Sequence, residues 1–404
     1  MIFFLQVKLY KLLVFSSRIL LRLIPIPNPI LFTGKNSSLD LCDAIAHRGH
    51  RHVLLVTDQT LIDLKLADEI LLRLTENNIN CTVYNEVLPD PTYYQIENGS
   101  VVAKHNNCDA IIGFGGGSSL DAAKAIAACV TNLTTSKQLA GLFKIKKIPL
   151  PLYLIPTTAG TGSEATFASV ISDDETHAKS FLIDPKLVPI MAALDGQLML
   201  NLPSNITAAT GMDALTHAIE AYISTNANKT TNELALSAIR LILNNLETAV
   251  TNNGDFQVRQ NMAMASYYAG AAFTRAGVGY VHAISHNIGA AYGTPHGVAN
   301  AMILPRVLEY SFTDIVNQLA TIARTCHLIN HEVSDVEAAR TFIQQVETML
   351  SIFDIPYYLN DLQKDHIPKL AKAALREAHL TPYAVPKYMT QNDCENMLRS
   401  MLKP

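Results

Sequence analysis

The period of the apolar residues changes once along the chain, and that change limits the fold more than any other feature. From about residue 30 to residue 200, short apolar runs alternate with helix-period segments. His52-Val-Leu-Leu-Val-Thr57 reads as a buried strand, followed by a helix over Leu61 to Asn77. A second strand region begins at Val83, and Pro89-Asp-Pro91 turns the chain into a helix through Lys104. Asp109-Ala-Ile-Ile-Gly-Phe114 is a third strand, followed by glycines and a helix from Ser119 to Val130, and Leu152–Ile155 and Phe181–Ile183 complete the set. Strand alternating with helix predicts a parallel sheet covered on both faces, with ligands at the carboxyl ends of its strands. After residue 205 only helical periods remain, over Thr230–Val250, Phe256–Phe273, Phe312–His327, Glu332–Leu350, Ile367–Ala378 and Gln391–Leu402. The expectation is an α/β domain over 30–204 and an all-α domain over 205–404, preceded by a separate segment, 1–29.

Composition supports two cores. At 404 residues the chain exceeds the size at which one core stops growing. With 49% hydrophobic and 16% charged residues it should bury those cores well. A net charge of -4 gives no electrostatic footprint for nucleic acid, so no such partner is expected. Cys42, Cys81, Cys108, Cys129, Cys326 and Cys394 lie far apart with no Cys-x-x-Cys, which predicts reduced thiols and a cytoplasmic protein.

Residues 1–24 are mostly Leu, Ile, Phe and Val, interrupted by Lys8, Lys11, Arg18 and Arg22. On a helix of roughly 100° per residue these cations fall within about a quarter-turn. No uncharged run reaches the ~18 residues of a membrane span, and no small-residue cleavage site follows a short apolar core. The expectation is an amphipathic helix in peripheral contact with a membrane. A helix packed on the protein's own surface or in an oligomer contact is the alternative. Pro25-Ile-Pro-Asn-Pro29 ends the helix, because Pro lacks an amide hydrogen and restricts its predecessor.

Gly113-Phe-Gly-Gly-Gly-Ser118 follows a strand and opens a helix, the geometry that lets backbone amides and a helix N-terminus cradle a pyrophosphate. Asp58, after the first strand, could accept hydrogen bonds from an adenosine ribose and would repel a 2′-phosphate, which favours NAD over NADP; capping of the next helix is the competing reading. Pro156-Thr-Thr-Ala-Gly-Thr-Gly-Ser-Glu164 offers hydroxyls and small residues to a polar ligand. Asp213 and His217 stand one helical turn apart and share a face, as do His282 and His286, and His296 follows the turn at Pro295. Three histidines in fifteen residues, of thirteen in the chain, point to a site. A carboxylate with imidazoles suits Fe(II), Zn(II), Mn(II) or Co(II). These residues are more than one ion needs, so one histidine is available for proton transfer. His47, His50 and His52 sit among arginines and read as exposed.

In this combination the sequence resembles the iron-dependent, group III alcohol dehydrogenase family. The resemblance covers roughly residues 30–404 and rests on Pro89-Asp-Pro-Thr92, Gly115-Gly-Gly-Ser118 with Asp121 and Lys124, Thr157–Glu164, Gly211–Tyr222 and His282–Asn300. It implies an N-terminal Rossmann-like dinucleotide-binding domain, a C-terminal helical metal-binding domain and an active site in the cleft between them. By motif, the metal ligands would be Asp213, His217, His282 and His296, with His286 as the catalytic or proton-relay residue. Gly115, Gly116, Gly117, Ser118, Asp121, Thr157, Thr158 and Thr161 would hold NAD, assisted by Asp58 and Lys179. Fe2+ is the metal the resemblance implies, and the ligand set would also bind Zn2+. The implied activity is hydride transfer between an alcohol or aldehyde and the nicotinamide, by a homo-oligomer expected to be a dimer. Arg275 stands where many members carry Asn, and Val385-Pro-Lys387 replaces the usual Asn-Pro-Arg. Phe167, Phe273, Arg275 and Tyr280 are candidates for the substrate pocket. A polyol dehydrogenase or synthase of the zinc type and a metal-dependent hydrolase are the competing readings.

Overall fold

The computed structural model describes residues 2–403 apart from 177, 253, 331 and 382, and apart from the side chains of residues 2–5, 17 and 19–23. It opens with helix α1 (Ile2–Leu23). The α/β stretch then runs β1 (Ile30–Thr33), α2 (Ser37–His47), β2 (His52–Val56), α3 (Gln59–Asp63), α4 (Asp68–Glu76), β3 (Asn80–Tyr84), α5 (Tyr93–His105), β4 (Ala110–Gly115), α6 (Gly117–Asn132) and α7 (Ser136–Leu139). It continues through β5 (Gly141–Leu142), β6 (Leu152–Pro156), β7 (Ala168–Ser172), β8 (Lys179–Ile183) and β9 (Met191–Leu194). Helices follow: α8 (Ser204–Ile223), α9 (Lys229–Thr251), α10 (Phe256–Ala276), α11 (Tyr280–Tyr292), α12 (His296–Thr325), α13 (Asp335–Ile352), α14 (Ile367–Leu380) and α15 (Gln391–Arg399).

The chain divides into two compact units, 26–202 with 252–270, and 1–25 with 203–251 and 271–404. In the first, a six-stranded sheet has the order β1-β9-β6-β4-β2-β3 with every pairing parallel. Its central strands are buried throughout: β4 and β6 show no exposed position, as a continuous apolar run requires when helices cover both faces. One core lies between the sheet and α5 and α6, with Leu54, Ile111, Leu154, Leu120 and Ile126. The other, with Leu41, Ile45, Leu55, Ile112 and Phe114, joins the opposite face to α2 and α4. From β2 the order runs to β3 on one side and to β4 on the other, so the crevice at the carboxyl ends of β2 and β4 is a topological switch point.

The structure bears out the α/β-then-helical reading and refines its elements. Phe181–Ile183 belongs to β8, which pairs antiparallel with β7 and parallel with β5 in a separate three-stranded sheet rather than extending the main one. The span read as one helix, 61–77, is two short ones, α3 and α4. His50 and His52 are half-buried, not exposed; His50 Nε2 meets Tyr153 Oη at 2.8 Å and His52 Nε2 meets Thr82 Oγ1 at 2.9 Å.

The second unit is helical. Helix α1 lies on it through one stripe: Val14 is buried, Tyr10 stacks on His379 of α14 with ring centroids 4.0 Å apart, and Arg18 Nε donates to Asn226 Oδ1 at 3.0 Å. Among the described residues no helix is long and apolar enough to cross a membrane.

Candidate functional site

The helical unit gathers Asp213 and His217 from α8, His282 and His286 from α11, and His296 from the start of α12. One ligand atom from each of Asp213, His217 and His282 can be chosen so that all lie within 4.8 Å of one another, and all three residues are buried. His296 Nε2 lies 3.5 Å from Asp213 Oδ1, His282 Nε2 lies 3.9 Å from the same oxygen, and His217 Nδ1 lies 3.9 Å from Oδ2. Four donors around one ion at ~2.1 Å would stand about 3.4 Å apart; the compact group is Asp213, His217 and His282, and His296 approaches it at Asp213 Oδ1.

Asn300 tests that fit. Its Nδ2 donates to Asp213 Oδ1 at 2.7 Å and lies 3.2 Å from both His282 Nε2 and His296 Nε2, while its Oδ1 finds no hydrogen-bond partner among the described residues. Asp213 Oδ1 and the Nε2 atoms of His282 and His296 thus converge on one amide nitrogen. A divalent cation satisfies that demand more fully, and the residues present fit one.

Glu220, one turn along α8 from His217, is a neighbour whose role the sequence does not reveal. Fully buried, it accepts from His282 Nδ1 at 2.6 Å and from the backbone amides of Gly279 and Val281 at 2.8 Å each. These amides belong to the N-terminus of α11, so one carboxylate caps the helix and fixes the His282 ring with Nε2 turned to the cluster. Burial works against a charged His282, but the hydrogen bond and charge of Glu220 outweigh it and raise its pKa. A side chain at Gly279 would place its Cβ 2.7 Å from Glu220 Oε1, which explains the glycine.

His286 Nδ1 meets Glu377 Oε1 at 2.6 Å, and the Tyr383 hydroxyl donates to the same oxygen at 3.0 Å. Burial and the neighbouring Glu377 hold the Tyr383 hydroxyl protonated well beyond its usual range. Among the pocket candidates, Phe273 stacks on His217 with centroids 4.3 Å apart. Tyr280 is core, since its hydroxyl accepts from Met389 N at 3.1 Å, and Arg275 Nη1 turns back to Ala271 O at 3.4 Å.

In the sheet unit Asp58, Gly115, Gly116, Gly117, Ser118, Thr157, Thr158 and Thr161 lie at or just after the carboxyl ends of β2, β4 and β6, while Asp121 lies within α6 and Lys179 opens β8. Gly115 has φ +143, a conformation reserved for glycine, and a Cβ there would lie 2.7 Å from Ser119 Oγ. A Cβ at Gly117 would lie 2.5 Å from Thr161 Cγ2, whereas at Gly116 it would meet nothing closer than Thr158 Oγ1 at 3.6 Å. Thr157 N donates to Gly115 O at 2.9 Å, which ties the β6 loop to the glycine turn. Ser118 Oγ accepts from Asp90 N at 3.3 Å, and Lys179 Nζ pairs with Asp90 Oδ1 at 3.1 Å. Asp58 Oδ1 accepts from Leu61 N at 3.1 Å as the N-cap of α3. Both Asp121 oxygens face protein, Oδ1 accepting from Ser163 Oγ at 2.6 Å and Oδ2 from Val170 N at 2.9 Å.

Lys124, one turn beyond Asp121, is wholly buried, and its Nζ donates to Ser163 O at 2.6 Å, Ala168 O at 2.8 Å and Thr166 Oγ1 at 2.8 Å. Burial lowers its pKa to about 8 against the opposing charges of Asp121 and Glu164, and burial likewise lifts Glu164 to about 7. Asp121 and Lys124 therefore hold the loop that carries Thr157, Thr158 and Thr161.

Comparisons with known proteins agree in both units. A family profile for "iron-containing alcohol dehydrogenase" matches residues 27–196, and one for "Fe-containing alcohol dehydrogenase family, C-terminal" matches residues 207–402. The chain is 34% identical over 376 residues to the NAD-dependent methanol dehydrogenase of Bacillus methanolicus, covering 93% of this chain and 98% of that one. It is 42% identical over 289 residues to alcohol dehydrogenase 4 of Schizosaccharomyces pombe, covering 72% of this chain and 68% of that one. The solved structure of a 1,3-propanediol oxidoreductase superposes with a TM-score of 0.90 at 34% identity, covering 94% of this chain and 100% of that one. With both profiles placed in order along the chain and a 34% identical relative matched over 98% of its length, this protein belongs to the iron-containing alcohol dehydrogenase family.

Proposed function

We propose that the protein is an NAD-dependent alcohol dehydrogenase that uses Fe2+ held by Asp213, His217, His282 and His296, with His286 as the proton-transferring residue. The convergence of Asp213 Oδ1, His282 Nε2 and His296 Nε2 on the single Asn300 amide nitrogen carries the metal part of this reading. Family membership and the relative named for NAD-dependent methanol oxidation support the rest. When bound, a divalent ion supplies Lewis acidity toward a substrate oxygen and the nicotinamide gives or takes a hydride.

The protein's own residues orient and protonate. Glu220 keeps the His282 proton on Nδ1. Glu377 does the same for His286, leaving the substrate proton to exchange at its Nε2. Tyr383, donating to the same Glu377 oxygen, steadies that carboxylate while His286 gains and loses charge. Gly115, Gly116, Gly117 and Ser118 present backbone amides and the α6 N-terminus to the pyrophosphate. Thr157, Thr158 and Thr161 offer hydroxyls beside them, Asp121 braces their loop, and Lys179 and Asp58 flank the turn. An Asp58 that caps α3 through Oδ1 has Oδ2 for a ribose hydroxyl, which favours NAD over NADP. Zn2+ suits the same four ligands and competes with Fe2+ according to supply. The substrate is a small alcohol or aldehyde and the working form a cytoplasmic homo-oligomer, a dimer.

The His286→Ala variant tests the division of roles. It should lower kcat about 10²- to 10⁴-fold with metal content unchanged. Loss of metal in that variant would make His286 a ligand and overturn the assignment.

A further inference from the structure

Helix α1 lies outside both family-profile matches, which begin at residue 27, and the chemistry proposed above does not use it. Its inner stripe is committed to the helical unit: Val14 is buried, Tyr10 stacks on His379, and Arg18 bonds to Asn226. The opposite face carries Leu9, Leu12, Leu13 and Phe15, exposed by 54%, 60%, 43% and 55%. Four large apolar side chains within seven residues, all turned outward, form a patch of the kind that marks an interaction surface. Because the helix is fastened along its other side, this face is presented lengthwise rather than as a loose end.

Charge says what covers it. Lys8 and Lys11 are exposed on α1, and no acidic residue occurs before Asp40. Helix α14, against which Tyr10 stacks, continues the pattern: Lys369, Lys372 and Arg376 are exposed, and Leu380 is 72% exposed. At roughly 100° per residue, Lys372, Arg376 and Leu380 share the side of α14 that carries His379, the residue touching α1. Apolar side chains set among cations match the boundary between acyl chains and anionic headgroups. A helix lying in that plane buries its Leu and Phe below the headgroups while Lys and Arg stay at their level.

We propose that α1, extended by the basic edge of α14, is a docking surface for the face of an anionic phospholipid bilayer, on which the enzyme sits without crossing it. The full-length protein should co-sediment with vesicles of phosphatidylcholine and phosphatidylglycerol, less with phosphatidylcholine alone, and release as salt is raised. A Leu12→Asp/Leu13→Asp variant should bind about a hundredfold more weakly or worse, from the loss of two buried leucines. Lys8→Glu/Lys11→Glu should remove the preference for anionic vesicles. Leu12 and Leu13 lie on exposed positions, so in the aspartate variant dehydrogenase activity and melting temperature should match the parent, and the binding readout stands independently of the proposed chemistry. Full-length protein that stays in the supernatant with anionic vesicles would overturn the proposal, as would undiminished sedimentation of the aspartate variant. So would a parent oligomer that binds no vesicles and dissociates in that variant, because the apolar face would then be covered by a second copy.

Discussion

A carboxylate buried beside a histidine and a helix N-terminus can do two things at once, and Glu220 does both. Its oxygens take two α11 amides and the His282 ring proton, so the helix cannot be capped without aiming His282 Nε2 at Asp213. Glu220→Gln, which keeps the shape but brings an N–H where an acceptor is needed, should weaken metal binding about 10- to 100-fold. Competition with a chelator on folded protein measures it. Glu164 makes a second prediction at this scale. Its folded pKa, about 7, exceeds its ordinary value of 4.5, so between those values the folded state binds more protons than the unfolded one. Its contribution to stability must fall as pH rises from about 5 to 7, and Glu164→Gln should remove that fall from the pH profile of the melting temperature. The histidines and Asp213 stood out together because three histidines fall within fifteen residues and pair with an Asp and a His one helical turn apart. Glu220, Glu377 and Asn300 were not, because a lone Glu or Asn on a helix looks like any solvated position until tertiary packing buries it.

At the scale of elements, the strands that were easy to read are those buried along their length, β4 and β6 throughout and β2 from Val53 on, because continuous burial demands a continuous apolar run. β1 and β9 were missed, being four residues each, one behind the proline run and the other of small residues, Met191-Ala-Ala-Leu194. β8 was read as a strand but its sheet was not, since pairing partners are a tertiary property. The region from His296 to Thr325 forms one helix with Pro305 inside it, where the sequence suggested a start near Phe312. Close approach of elements is equally silent in the sequence: Gly162 and Gly270 let the β6 loop and α10 touch backbone to backbone. A Cβ at Gly270 would lie 2.5 Å from Gly162 O, and backbone cannot step aside as a side chain can. Gly270→Ala should therefore destabilise the sheet unit by about 1–3 kcal/mol, read as a lowered midpoint in urea unfolding.

At the scale of the molecule, the single change of apolar period near residue 200 anticipated the division of labour between a sheet unit and a helical unit. What it did not anticipate is that the units are not contiguous in sequence. Residues 252–270 return to the sheet unit, and the N-terminal helix joins the helical one. In the function proposed above each unit carries its own part of the chemistry: the glycine turn and hydroxyl loop in one, the carboxylate and imidazoles in the other. The claim that the two serve one reaction is tested most directly by alcohol-dependent NADH formation on protein whose iron has been assayed, before chelation, after it, and after Fe2+ is returned. The account predicts NADH formation that falls in proportion to the iron removed and recovers with its return. Turnover that persists undiminished in metal-free protein, or iron-loaded protein that binds NAD yet oxidises no primary alcohol or diol, would contradict it.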